Sequence, residues 1–142
     1  MTYFKESPVA VTIHLLSKKW TTEIILELMN GRKRFSDLLE IDDSLTSKVL
    51  SDRLKVLLDY GIIEKIVINM MPLKMKYQLS DKGRLLNRIF FECALYGCFL
   101  FPDKIFTGQQ ELNDNLIDEL QKNFQIENVN IEELKKNYFT KN

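Results

Sequence analysis

Hydrophobic periodicity changes at Gly61, and that change limits what the chain can fold into more than any other feature. From Thr46 to Tyr60, Leu50, Leu54, Leu57 and Leu58 fall within about one third of a helical circumference, the pattern of an amphipathic helix buried along one stripe. Gly61 can take a left-handed conformation without a Cβ clash and ends the run. Beyond it the chain is β-branched at Ile62, Ile63, Ile66, Val67 and Ile68 and breaks from Asn69 to Pro72. It resumes with Met75, Tyr77 and Leu79 alternating with Lys74, Lys76 and Gln78. A hairpin therefore follows directly on an amphipathic helix.

Helices flank this pair. Ser7-Pro8 starts one that runs to about Ser17, because the serine can accept from an orphan N–H and the proline loses no bond in the first turn. Trp20, Ile24, Ile25 and Leu28 recur at helical spacing until Gly31. Arg32 to Phe35 is a strand-like link, Ser36-Asp37 caps a brief third helix through Ile41, and Asp42 to Ser44 is a turn. Ser80 caps a fifth helix of about twenty residues ending near Pro102. Gly108 opens a polar tail with helical patterns at about 109–124 and 131–139. The order predicts a mostly α fold with a small β-hairpin, a winged helix-turn-helix with additional C-terminal helices. Residues 1–102 would form this winged domain, and residues 103–142 an acidic helical extension.

Charge follows the same division. The chain is formally neutral, with 20 basic and 20 acidic side chains, yet residues 18–90 hold 14 Lys/Arg against 10 Asp/Glu and residues 99–142 hold 5 against 8. A basic middle suits a polyanionic partner. In a winged fold the helix after the turn enters the major groove of double-stranded DNA and the hairpin reaches the adjacent backbone or minor groove. With Leu50 and Leu54 facing the core and about 100° per residue, Lys48, Ser51, Asp52 and Lys55 face outward. Lys48 and Lys55 can reach phosphates or guanine edges. Ser51, Ser47 and Thr46 can donate or accept. Arg53, on the flank, is a positioning residue. Arg32, Lys33 and Arg34 lie where such a scaffold crosses the DNA backbone, and the wing carries Lys65, Lys74 and Lys76 around a tip containing Met70 and Met71.

At this point the residues resemble the HxlR-type branch of the MarR-like winged-helix regulators. The stretches that carry the resemblance are Ser7-Pro8, Lys19-Trp20, Ile25 to Leu28 and Gly31 to Leu38, followed by Leu45 to Leu54, Asp59 to Ile63, Met71-Pro72, Lys76 to Ser80 and Gly83. They span residues 7–100 in unbroken register. The resemblance implies a cytoplasmic homodimer held by the first and last helices of the domain, binding pseudo-palindromic operators and regulating neighbouring genes. Val11, His14 and Leu15 on the first helix, and Ile89, Phe90, Phe91, Leu95, Tyr96 and Phe99 on the last, are the interface candidates. Many members place a cysteine before the N-terminal proline to sense electrophiles or oxidants. Here Ser7 stands there, so that route is closed at this position. The family's usual acidic residue before the wing tyrosine is replaced by Lys76.

Catalysis is not expected. The single histidine, His14, sits on what reads as the apolar face of the first helix and suits packing or an interface. The two cysteines, Cys93 and Cys98, are five apart in a helix and so about 140° around its axis, too far round to form a local disulfide or share a metal. Both lie in an apolar stretch and read as buried structural residues. No cofactor, metal or membrane contact is expected: the apolar run Ile89–Phe101 falls short of the roughly 20 residues a spanning helix needs. A small-molecule effector, if there is one, is expected between the fifth helix and the wing, near Phe90, Phe91 and Phe99. The alternative to a DNA reader is a winged-helix protein–protein interaction module in a transcription assembly, with the acidic tail as docking arm.

Overall fold

Side-chain caps mark where three of the first four helices begin in the computed structural model, which describes residues 3–139. Helix α1 (Pro8–Leu16) opens with the Ser7 hydroxyl accepting from Ala10 N at 3.3 Å. Helix α2 (Thr21–Met29) follows Trp20, whose φ of 76° is left-handed. Helix α3 is Phe35–Leu39, which starts before the expected Ser36-Asp37 cap and ends two residues short of Ile41. Its cap also differs: Ser36 and Asp37 lie inside it, and the Asp37 carboxylate reaches back to accept from Arg34 N at 2.8 Å. An acid at the third helical position satisfies the orphan donor as well as a cap residue would. In the turn that follows, Asp42 accepts from Ser44 N at 2.8 Å, an Asx-type closure.

Helix α4 (Ser47–Asp59) starts with Thr46 Oγ1 accepting from Val49 N at 3.2 Å. At its end Gly61 has φ of 71°, Gly61 N donates to Leu58 O at 3.0 Å, and Ile62 N donates to Leu57 O at 2.9 Å. That double closure turns the chain straight into β1 (Ile63–Met70), which pairs antiparallel with β2 (Leu73–Leu79) in the register Ile63↔Leu79, Lys65↔Tyr77, Val67↔Met75. An irregularity between Val67 and Asn69 leaves Asn69 opposite Lys74 and Met70 opposite Leu73. The tip is thus Met71-Pro72 alone and not the Asn69–Pro72 break expected, because Asn69 Oδ1 accepts from Met71 N at 3.2 Å and lets pairing continue to Met70. Lys33 exchanges backbone bonds with Tyr77 at 3.0 and 2.7 Å, so the link after α2 pairs with β2 as a short third segment of the wing.

Beneath the wing, Ser80 ties three segments together. Its hydroxyl donates toward Gly61 O and Ile62 O and accepts from Gly83 N at 3.1 Å. Helix α5 (Asp81–Arg84) consequently presses so close that a Cβ on Gly83 would lie 2.1 Å from Ile62 O. Leu16, Ile24, Ile25, Leu28, Leu38, Leu45, Leu50, Leu54, Leu57, Ile62, Ile63 and Leu79 are buried, with α2 packed on β2 and α4 on β1.

A second compact unit begins at Leu85. It contains α6 (Leu86–Leu100), α7 (Pro102–Ile105), α8 (Asp114–Asn123) and α9 (Ile131–Phe139). The long fifth helix of the sequence reading is therefore divided at Leu85, and the structural boundary falls at 84/85 where the sequence reading put it at 102/103. The reason is burial: Phe91, Leu95 and Cys98 of α6 form one cluster with Leu112, Ile117 and Ile126, so α6 belongs with the tail. Leu116, Leu120 and Phe124, which recur at four-residue spacing, pack on that cluster. Phe91 and Phe124 meet with ring centroids 6.3 Å apart, and Asn87 Nδ2 donates to Phe124 O at 3.0 Å. Lys135 adds an ion pair to Asp118 at 2.9 Å between α9 and α8.

Candidate nucleic-acid interface

Helix α4 has two faces of opposite chemistry. Leu50, Leu54 and Leu57 are 0%, 2% and 1% exposed, whereas Ser47, Lys48, Ser51, Asp52 and Lys55 are exposed. Among the described residues, no hydrogen bond or ion pair engages the side chains of Lys48, Ser51 or Lys55, so their polar ends are available to a ligand. Thr46 is exposed but its hydroxyl oxygen caps the helix, which leaves its O–H free to donate. Arg53 is half-buried, and its Nε donates to Lys19 O at 2.8 Å. That bond ties α4 to the corner before α2, in keeping with a positioning role. Sequence reasoning missed the corner itself: Lys19 Nζ stands 5.1 Å from the Trp20 ring centroid, beside the left-handed Trp20 backbone.

The Arg32-Lys33-Arg34 cluster is more constrained than a solvated turn. Arg32 Nε donates to Gln78 Oε1 at 2.8 Å and Gln78 Nε2 donates to Glu64 Oε1 at 2.8 Å, a chain of side chains across one face of the wing. Gln78 was not singled out from sequence, although it shares the alternation of Lys74 and Lys76. Lys33 Nζ lies 4.0 Å from Glu27. Arg34 pairs with Asp37 at 3.1 Å, and the side-chain hydrogen bond raises the guanidinium pKa while it lowers that of the carboxyl. Lys74 is exposed and Lys76 half-buried on the Gln78 face, while Lys65 lies on the other face with its ammonium 6.0 Å from the Tyr77 ring centroid. The structure brings Lys48, Ser51 and Lys55 onto one helix face. The Arg32–Arg34 link and the wing lysines are joined separately through β2.

Residues 15–99 match the family model described as HxlR-like helix-turn-helix. The chain belongs to this family. YvaP of Bacillus subtilis, an uncharacterised HTH-type transcriptional regulator, is 39% identical over 82 residues, covering 58% of this chain and 76% of its own. The reduced form of the B. subtilis transcriptional regulator YodB superposes with a TM-score of 0.62 at 33% identity, over 68% of this chain and 95% of YodB. A MarR-family regulator of Enterococcus faecalis gives a TM-score of 0.65 at 26% identity, over 73% of this chain and 94% of its own. This HxlR-like protein is accordingly a DNA-binding transcriptional regulator of the helix-turn-helix type with a MarR-like winged fold. The family match ends at Phe99, so α7, α8 and α9 lie beyond it.

Several expectations need correction. On α1, Val11 and His14 are exposed and Leu15 is half-buried, so His14 is not packed within the chain. On α6, Phe90, Phe91 and Leu95 are 6%, 1% and 0% exposed. They are covered within the chain, and Phe91 and Leu95 are covered by the tail. Ile89, Tyr96 and Phe99 keep exposed surface, and Phe99 also meets Tyr138 edge-on at 5.4 Å. The tail likewise covers the Phe91 side of the aromatic set expected to receive an effector. Cys98 is buried, and burial pushes its thiol pKa up, but Cys93 is exposed on α6 where a buried residue was expected. Among the described residues, no helix is long and apolar enough to cross a membrane.

Proposed function

We propose that this regulator acts in the cytoplasm as a homodimer that binds pseudo-palindromic operator DNA sequence-specifically, with α4 as the reading helix. One observation carries the reading: the leucines of α4 are sealed inside the winged unit while Lys48, Ser51 and Lys55 project from its opposite face. A cationic and hydroxylic helix face of this kind suits the major groove, where lysine meets phosphate or guanine and serine either donor or acceptor edges. Ser47 and Thr46 add donors at the start of the same helix. Lys74 and Lys76 place charge on the wing for the neighbouring backbone, and Arg32 and Arg34 supply further cations from the link bridged to β2. The unit ending at Arg84 thus holds the DNA contacts. Dimerisation falls to the exposed apolar side chains of α1 and α6: Val11 is 51% exposed, Tyr96 56% and Phe99 49%.

Selection of bound fragments from random duplex DNA tests this directly. A two-fold dimer should enrich inverted repeats with half-sites about one helical turn apart, roughly 34–36 Å. Affinity for the selected site should fall with salt at a log-log slope near −0.9 per neutralised phosphate. No enriched repeat, together with salt-insensitive binding, would reject the DNA reading in favour of a protein–protein module.

A further inference from the structure

The C-terminal unit contains a cleft that regulation of the winged unit does not account for. It has a volume of about 500 Å³ and is lined by Phe99 of α6, Pro102, Glu111, Leu112, and Tyr138 and Phe139 of α9. Buried Cys98 also borders it. The size is in the range of sites that enclose drug-sized ligands.

We propose that this cleft binds a hydrophobic organic cation. Three rings, those of Phe99, Tyr138 and Phe139, supply aromatic surface, and Phe99 and Tyr138 are already fixed edge-to-face at 5.4 Å. The negative faces of such rings attract a cation whose own apolar groups fill the space between them. Glu111 adds a carboxylate, and among the described lining residues there is neither lysine nor arginine to offer an organic anion a counter-charge. The other polar side chains that line it, the Tyr138 phenol and the Cys98 thiol, carry no charge. Burial, with Glu92, Tyr96 and Cys93 adding to it, raises the pKa of the Tyr138 phenol, and burial does the same to the Cys98 thiol. The surrounding segment has the matching sign, since residues 99–142 hold 8 acidic against 5 basic side chains. This site lies where the C-terminal end of α6 meets the extension, and of the aromatic residues expected to receive an effector it includes Phe99 but not Phe90 or Phe91.

Calorimetric titration of the full chain with tetraphenylphosphonium tests the charge and the site together, with tetraphenylborate as the same shape of opposite charge. Saturable binding of the cation and much weaker binding of the borate are expected. Glu111 is exposed, so its substitutions should fold normally, as circular dichroism will verify. Glu111→Gln should weaken the cation by about fivefold, the upper end for a partly solvated charge pair, and Glu111→Lys should weaken it further. Absent saturable heat, equal binding of the borate, or unchanged affinity in Glu111→Lys would each overturn the assignment. Because binding is read without DNA, failure here is separable from failure of operator recognition.

Discussion

The winged unit and the C-terminal unit solve the same burial problem to different ends. In the first, an amphipathic helix turns its leucines inward and leaves Lys48, Ser51 and Lys55 outside with nothing on them. In the second, α6 turns Phe91, Leu95 and Cys98 inward as well, but the cover is a tail that begins after the family match has ended. A winged regulator exposes its polar face to bind, whereas this extension closes over an apolar one and leaves a ring-lined cleft at its margin. The difference teaches that periodicity reports which side of a helix is buried and says nothing of what buries it.

Four measurements can break or sharpen that contrast. The largest effect is expected from Ile117→Ala, since Ile117 is 0% exposed in the cluster under α6. It should destabilise the C-terminal unit by about 2–5 kcal/mol in denaturant unfolding. A loss below about 1 kcal/mol would show the tail is not true cover. Next comes Gly83→Ala, whose new Cβ meets the Ile62 carbonyl oxygen and cannot be relieved by a side-chain rotation. The winged unit should lose about 1–3 kcal/mol in the same assay, and a neutral result would mean that α5 is not pressed against the hairpin base.

Lys48→Ala should weaken operator binding by roughly tenfold, within the range of about 1–3 kcal/mol for a base-edge contact. Thermal stability should stay at the parent value. Unchanged affinity in a gel-shift titration would mean that the outward face of α4 is not the reading face. The smallest effect concerns pH. The hydrogen bond and charge of Arg34 lower the Asp37 pKa in the folded state, so the stabilisation is present above the unfolded carboxylate value of about 4 and is lost as pH falls through the lowered folded value. The Tm difference between the parent and Asp37→Asn should therefore narrow as pH drops through that window. A constant difference would assign the effect of Asp37 to its cap geometry alone.

Much of this was legible in the chain itself. The Gly61 transition announced α4 and the hairpin because a left-handed residue and a change of hydrophobic period are local properties. The outward set on α4 followed from 100° per residue about a leucine stripe. Ser7 and Gly61 act as their types predict. Less was legible wherever a side chain found its partner at long range. Arg32 and Arg34 look alike in sequence, yet one hydrogen-bonds to Gln78, 46 residues away, and the other to Asp37, three residues away. Cys93 and Cys98 share one apolar stretch, but the tail packs over the side that holds Cys98 and leaves Cys93 in solvent.

The sequence by itself determined the winged order, the regulator family and the polarity of the α4 faces, since all three depend on spacing along one element or a few neighbours. Tertiary structure alone decided that α6 belongs with the extension, that Phe91 and Leu95 are enclosed within the chain, and that a ring-lined cleft forms beside Glu111. The physical reason is that an apolar stripe is satisfied by any apolar surface that reaches it. Which surface arrives is set by chain segments far apart in sequence.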